Sequence, residues 1–302
     1  LVGSEMCIRD RKLGLGDLLD EIVKNFKDED LSDYDDTTIR VAVVGKPNVG
    51  KSSLVNRILG EERSIVSDIP GTTRDAIDTP FSWEDEKFVF IDTAGMRKRG
   101  KIDESVERFS VIRSLSAIER ADVCLMVIDA KEGPTEQDSK IAGYVHEQGK
   151  AVIIIVNKWD AIEKDDKSVY RFEEQVRKEL SFMSYAPIMF VSAKTGQRVL
   201  KIMEMIRFVA NESAKRIQTG MLNDVINEAV MMNQPAISGG RRLKLYYSTQ
   251  VDVKPPAFAL FVNNPELMHF SYERYLENQI RKAFGFDGTS LRFYLKQKNR
   301  EE

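Results

Sequence analysis

The sequence predicts a doubly wound α/β domain with a mainly parallel sheet, followed by a smaller α+β domain. Short β-branched runs, Ile39 to Val44, Phe88 to Ile91, Val123 to Asp129, Ala151 to Val156 and Ile188 to Val191, alternate with helix-length segments, which is the order of βα units. The runs are almost continuously apolar, as expected of parallel strands covered on both faces. The chain has 302 residues, enough for two domains at about 100 to 200 residues each.

Leu1 to Arg11 lacks periodicity and resembles adapter read-through or a disordered tail, so residues 1–11 are set aside as non-native or disordered. Gly14 to Val23 reads as a short helix with an apolar stripe of Leu18, Leu19, Ile22 and Val23. The acidic stretch Lys27 to Asp36 reads as a linker, because its like charges repel and bury nothing. Residues 38–212 are then the α/β domain. Ile77 to Trp83 and the turn Glu84 to Lys87 add an antiparallel hairpin strand, and helices are expected at Lys51 to Leu59, Glu104 to Glu119, Thr135 to Glu147, Ser168 to Phe182 and Val199 to Glu212. Residues 213–302 change order: helix Gly220 to Met232, a Gly-Gly-Arg-Arg turn, strands Leu243 to Thr249 and Ala257 to Val262, helical Pro265 to Phe284, and strand Leu291 to Lys296. This is an α-β-β-α-α-β reading.

Lys plus Arg number 45 against 48 Asp plus Glu, a formal net charge of -3, which excludes a uniformly basic nucleic-acid coat. The charge is uneven: residues 213–302 hold 13 basic and 9 acidic side chains, net +4, leaving 32 and 39, net -7, for residues 1–212. Two cysteines cannot form a disulfide framework, and Cys124 lies inside an apolar run where a buried thiol is expected, so a cytoplasmic protein is implied. No apolar run approaches the roughly 20 residues of a membrane-spanning helix. His146 and His269 have no metal-ligand spacing around them.

Gly45, Lys46, Pro47, Asn48, Val49, Gly50, Lys51, Ser52 fit GxxxxGK[ST], and Ser53 follows, between a strand and a helix. Backbone N–H groups of such a loop form an anion nest at a helix N-terminus, Lys51 reaches β and γ oxygens, and Ser52 can ligate Mg2+. Asp92, Thr93, Ala94, Gly95 end the next inner strand, placing a carboxylate near the magnesium and a glycine N–H near the γ-phosphate. Asn157, Lys158, Trp159, Asp160 close another strand, at the carboxyl end where open α/β sheets bind ligands. A carboxylate at Asp160 accepts both N1–H and 2-amino hydrogens of guanine; adenine would leave it unpaired, a discrimination on the order of 10^4-fold. Ser192, Ala193, Lys194 follow the last strand, where the Ala193 N–H can meet guanine O6 and Lys194 can lie against the base.

These motifs, in order, resemble the G1, G3, G4 and G5 elements of Ras-like GTPases, with Pro70 to Asp75 as G2 and Thr73, or Thr72, as the switch hydroxyl that joins Mg2+. The stretches GKPNVGKSSLVN, PGTTRDAIDTPF, DTAGMRKRGKI, NKWD and SAKTG, with Ser271 to Arg281 and Phe284 to Thr289, resemble the Der (EngA) family of TrmE-Era-EngA-like GTPases over about residues 12–302. The resemblance is to the second G domain and the C-terminal KH-like domain. It implies that residues 12–37 are the end of a preceding G domain plus linker, that the fragment is N-terminally truncated, and that 38–212 is a P-loop G domain and 213–302 a KH-like domain. It further implies a monomeric GTP/GDP switch that binds the large ribosomal subunit or its rRNA.

Met96 stands where Ras-like enzymes place a water-orienting glutamine. This resembles the GTPases with a hydrophobic residue there, whose P-loop Asn, here Asn48, helps hold K+; a turn residue after Pro47 is the plainer reading of Asn48. The implied chemistry is in-line attack by water, with Lys51, Thr73 and Gly95 at the reacting phosphate, Mg2+ on Ser52, Thr73 and Asp92, and K+ on Asn48. The basic run Arg97 to Lys101 follows in switch II.

The KH resemblance carries a departure. Met-His-Phe-Ser, 268–271, stands where a GxxG loop belongs, and Gly285-Phe-Asp-Gly288 falls after the last helix, where a helix C-cap fits better. Arg241, Arg242, Lys244, Arg281, Lys282 and Arg292 are candidate rRNA contacts or ordinary solvated charge. Tyr272, Tyr275, Phe284 and Phe293 recur at core spacing. Two other functions fit parts of this pattern: a guanine-nucleotide binding module without useful turnover, and a tRNA-modification GTPase, which would carry a cysteine-bearing C-terminal extension.

Overall fold

A computed structural model describes residues 37–60, 64–66, 78–93, 114–163, 165–238 and 240–298. The expectations for residues 1–36, the G2 loop, Ala94 to Met96 and the run Arg97 to Lys101 lie outside the described residues.

Residues 37–302 form one compact unit. Its larger sheet has seven strands, β1 (Ile39–Val44), β2 (Ser64–Val66), β3 (Thr79–Trp83), β4 (Glu86–Ile91), β5 (Val123–Asp129), β6 (Ala151–Asn157) and β7 (Ile188–Phe190), in the order β2-β3-β4-β1-β5-β6-β7. Strands β4, β1, β5, β6 and β7 run parallel, and one edge is extended by β3, antiparallel to β4, and β2, antiparallel to β3. The chain leaves β1 toward one side of the sheet and returns to the other through β5. That reversal opens a crevice at the carboxyl end of β1, where ligands bind in this architecture.

Alternation along the strands divides the core in two. Val123, Leu125 and Val127 of β5 and Ile153 and Ile155 of β6 pack toward α1 (Lys51–Leu59) and α4 (Leu200–Ala214). Cys124, Met126, Val152 and Ile154 pack toward the other face, with α2 (Glu136–Glu147), α3 (Ser168–Glu179) and helical residues 114–120. Every residue of β5 and β6 is buried, which is why both read as unbroken apolar runs. Burial raises the Cys124 thiol to about 12, so it stays a neutral apolar filler.

The C-terminal part has α5 (Thr219–Met232), a two-residue hairpin β8 (Ile237–Ser238) and β9 (Arg241–Arg242), and strands β10 (Leu245–Asp252), β11 (Ala257–Val262) and β12 (Arg292–Gln297). Strand β11 is central, antiparallel to β10 and parallel to β12. Helices α5 and α6 (Phe270–Phe284) cover one face through Leu222, Ile226, Phe258, Leu260, Leu276 and Ile280. Tyr272 is buried there, and Tyr275, Phe284 and Phe293 pack partly buried against the same cluster.

One detail differs from the sequence reading. The Gly-Gly-Arg-Arg turn continues into strand β9. The helical stretch from Pro265 is a 3-10 turn, Pro265–Leu267, followed by a break and a newly capped α6, the two helical pieces of the α-β-β-α-α-β reading. Asn264 Oδ1 accepts the Glu266 N–H at 3.1 Å and His269 Nδ1 accepts the Ser271 N–H at 3.3 Å, so each short piece has its own start.

The loop after α6 fastens this part to the larger sheet. Gly288 donates to Tyr185 O at 2.9 Å and accepts from the Val152 N–H at 2.7 Å, while the Phe286 N–H donates to Glu212 Oε2 at 2.5 Å. Gly285 to Gly288 is thus spent on docking.

Candidate functional site: a phosphate loop and a base pocket

Helix α1 begins directly after the loop Gly45 to Gly50, so its first N–H groups face the space the loop encloses. Three positions have positive φ: Gly45 at 139°, Asn48 at 62° and Gly50 at 95°. A Cβ on Gly45 would stand 2.3 Å from Val127 O, and one on Gly50 2.3 Å from Asn157 Nδ2. Both glycines are therefore imposed by β5 and β6 packing against the loop as well as by ligand access. Val49 is buried, and Pro47, Asn48 and Ser53 are exposed.

Lys51 Nζ donates to Gly45 O at 2.7 Å and Lys46 O at 2.6 Å, lying across the loop mouth. Burial lowers its ammonium to about 8, against the opposing pull of Asp138. Burial also works against the charge on Lys46, yet its hydrogen bond to Glu132, at 2.8 Å, and the Asp138 carboxylate leave it raised. Asp138 Oδ2 also accepts from Thr135 N and Oγ1 at 3.0 and 2.7 Å, so the start of α2 anchors the phosphate loop.

Asn157 ties three segments together. Its Nδ2 donates to Val49 O at 2.9 Å and its Oδ1 accepts the Ala193 N–H at 3.0 Å. Lys158, at φ 62°, donates to Asn48 O at 2.7 Å and Asp129 Oδ2 at 2.5 Å. Trp159 is buried against Phe172 and Phe190. Asp160 Oδ1 accepts from Ser192 Oγ at 2.5 Å, and that oxygen accepts the Thr195 N–H at 3.1 Å. Two loops, 157–160 and 192–195, thereby share one hydrogen-bonded frame, and Lys194 is exposed beside it.

Asp92 follows β4, at φ 54°, with its N–H donating to Asp78 Oδ1 at 2.9 Å; Asp78 pairs with Arg120. Thr93 and Thr79 hydroxyls meet, buried, at 2.6 Å. Since Ala42 is in register with Ile91, Asp92 lies beside the end of β1, on the side of the loop that starts α1 with Ser52. One hydroxyl and one carboxylate suit a hard cation such as Mg2+ that keeps phosphate and water ligands. No group of three or more His, Cys, Asp and Glu able to hold a metal occurs among the described residues.

Asp129, Glu132 and Asp138 are site residues that the sequence reading passed over. Asp129 closes an apolar strand just as Asp92 does, and Asp138 stands three residues after Thr135, so each carried a faint signal. Among the basic candidates, Arg241, Lys244 and Lys282 are exposed, and exposed Arg242 donates to Gln234 Oε1 at 2.5 Å. Arg281 and Arg292 both have partners within the chain. Arg281 is spent on Glu277 Oε1, Phe286 O and Thr289 O at 2.8, 2.7 and 2.9 Å, and stacks 4.7 Å from the Tyr185 ring. Arg292 donates to Glu147 O at 2.8 Å.

A doubly wound sheet with a glycine-bounded anion loop at its switch point and a carboxylate-framed pocket beside it defines a P-loop G domain, here followed by a KH-like module. Residues 40–158 match the family described as 50S ribosome-binding GTPase, and residues 216–296 the KH-domain-like family of EngA bacterial GTPase enzymes, C-terminal. The chain belongs to the GTPase Der family: it is 65% identical over 289 residues to GTPase Der of Acetivibrio thermocellus, and 62% identical over 286 to that of Alkaliphilus oremlandii. These alignments cover 96% and 95% of this chain but 66% and 65% of the relatives, so the chain spans just under two thirds of their length. A crystal structure of Era in complex with MgGDPNP and nucleotides 1506–1542 of 16S ribosomal RNA aligns over 87% of this chain and 94% of its own, at 22% identity and a TM-score of 0.44, too loose a likeness to add to the fold described above.

Proposed function

We propose that the chain binds GTP and hydrolyses it as a switch that acts in assembly of the large ribosomal subunit, in the cytoplasm. The division into a G domain at 38–212 and a KH-like domain at 213–302 belongs to this reading. The observation that carries it is the frame in which Asn157 holds both the phosphate loop and the Ala193 N–H while Ser192 orients Asp160. Phosphate loop and base pocket are thereby fixed at one spacing, suited to one nucleotide.

In this reading Asp160 takes the N1–H and 2-amino hydrogens of guanine, the Ala193 N–H donates to O6, and Lys194 lies on the base. The N–H groups of Lys46 and of Asn48 to Ser53 take the phosphate oxygens, and Lys51 leaves the Gly45 and Lys46 carbonyls for the β and γ oxygens. Water attacks the γ-phosphorus in line, the bond to the β-γ bridging oxygen breaks, and GDP and phosphate leave. Gly95 would offer its N–H to the γ-phosphate. Ser52, Thr73 and Asp92 would hold Mg2+, and Asn48 K+; such cations neutralise the charge that gathers on the phosphates. Lys158 restrains the Asn48 backbone from behind, through its carbonyl.

The base assignment is tested by Asp160→Asn, expected to lower GTP affinity about 10^3-fold or more while raising that for xanthosine triphosphate. An unchanged GTP preference over ATP and XTP would remove the guanine reading. Ribosomal action is tested by cosedimentation with large subunits under a GTP analogue and under GDP; equal pelleting in both removes the switch. Met96 favours a second reading, nucleotide binding without useful turnover, which single-turnover hydrolysis with and without ribosomal particles separates from the first.

A further inference from the structure

We propose that the outward face of the three-stranded sheet is a stacking platform for single-stranded RNA. Register places its rows. Tyr247, Phe261 and Lys296 share one row, Thr249, Ala259 and Tyr294 the next, and Asp252, Ala257 and Arg292 the lowest. The opposite rows, which include Ser248, Leu260 and Phe258, are the ones buried beneath α5 and α6. Helices thus account for one face only. On the other, Tyr247 and Tyr294 are 46% and 47% exposed, values that make large aromatic rings an open surface rather than a core.

The relief of this face suits planar groups. Ala257 and Ala259 fill the outward positions of the central strand with single methyls, each nearly inaccessible at 2% and 4%. They make a floor below the Tyr247 and Phe261 rings, whose centroids are 5.8 Å apart, and below Tyr294. Only the lowest row is covered among the described residues, by Arg292 reaching Glu147 and by Pro255 close to Gly149. In the upper two rows Tyr247 and Tyr294 remain open, and Phe261 is partly buried beside them.

Charge selects the occupant. The three strands and their flanks, residues 244–262 and 291–298, contain Lys244, Lys254, Arg292, Lys296 and Lys298 against Asp252 alone: five minus one, the whole +4 excess of residues 213–302. Asp252 stands in the lowest row, whereas Lys296 stands beside Phe261, and Lys298 lies over the exposed Tyr246 ring at 5.3 Å. Aromatic faces bordered by lysines bind a strand whose unpaired bases stack and whose phosphates meet ammonium groups. A double helix hides its bases and would use the lysines alone. The surface is separate from the 268–271 segment, where a KH module ordinarily clamps RNA. It deepens the proposed association with rRNA, and oligonucleotide binding is read independently of ribosome sedimentation, so the two can fail separately.

The test uses the whole chain and a fluorescein-labelled 12-nucleotide oligouridylate, by anisotropy, with an unlabelled RNA duplex as competitor. Tyr294→Leu and Tyr247→Leu are each expected to weaken binding about tenfold, while Tyr294→Phe stays within about twofold because the stacking face is retained. Lys296→Ala with Lys298→Ala should lower the slope of log affinity against log salt by about one. Absence of binding by the unaltered chain, equal loss in Tyr294→Phe and Tyr294→Leu, or duplex competing as well as the single strand would each overturn the proposal. Light scattering that shows self-association abolished by Tyr294→Leu would also overturn it, assigning the face to a second copy.

Discussion

Gly50 shows how one position serves chain geometry and ligand at once. At φ 95° a side chain is strained, and the added Cβ would meet Asn157 Nδ2, the group that holds Val49 O. Gly50→Ala should therefore cost about 1–3 kcal/mol of stability and disturb the base pocket as well as the phosphate loop. A melting curve beside guanine-nucleotide titration checks this; a stable variant with unchanged affinity would show that the loop yields freely. Asn157 is 1% exposed and satisfies two segments, so Asn157→Ala leaves a buried carbonyl and a buried N–H unpaired, at about 1–3 kcal/mol each. The expected result is a lower melting temperature together with loss of both GDP and GTP binding. Such loss differs from that in Asp160→Asn, which changes the base without unfolding the frame. At this scale the sequence displayed what is contiguous: the eight residues of the loop carry their own signature. It concealed pairs remote along the chain, such as Lys46 with Asp138 and Lys158 with Asp129, because nothing in a single sequence marks two charges as neighbours.

Elements were legible where burial is uniform. Strands β5 and β6 sit between two helical layers, so every side chain before the terminal Asp129 and Asn157 is apolar and the pattern cannot be mistaken for a solvated helix. The edges were less legible. Strand β9 is two exposed arginines, indistinguishable in sequence from a turn. Arg281 and Arg292 read as candidate rRNA contacts or solvated charge because their acceptors are mostly backbone carbonyls of other segments, which composition does not reveal. The docking loop gives an element-scale prediction. Gly288 has φ 75°, and a Cβ there would lie 2.5 Å from Val209 Cγ1 of α4. Gly288→Ala should loosen the junction, seen as earlier cleavage of residues 285–290 by limited proteolysis. Adding Val209→Ala should recover part of the protection by making room, whereas no recovery would place the strain in the backbone alone.

For the molecule as a whole, the same junction makes stability depend on pH through His146. The imidazole sits where the two parts meet, its Nδ1 2.8 Å from Tyr185 Oη and its ring beside Phe182. Burial lowers its pKa below the ordinary 6.5; Glu277 and Glu147 pull upward, and Arg281 and Arg292 push further down. The folded protein thus holds this histidine neutral at pH values where the unfolded chain has already taken a proton. The sign follows: its contribution is complete above about 6.5 and is lost as pH falls from there toward the depressed folded value. Carboxylates elsewhere also titrate on the acid side, so the quantity to measure is the difference between the protein and His146→Gln across pH 5 to 8. The variant keeps a side chain able to hydrogen-bond Tyr185 but has nothing to protonate. Its stability should fall less steeply below pH 6.5, and guanine-nucleotide affinity, set at the far ends of the strands, should not change. Parallel stability curves for the two proteins would show that the imidazole takes its proton in the docked state and that the junction is indifferent to its charge.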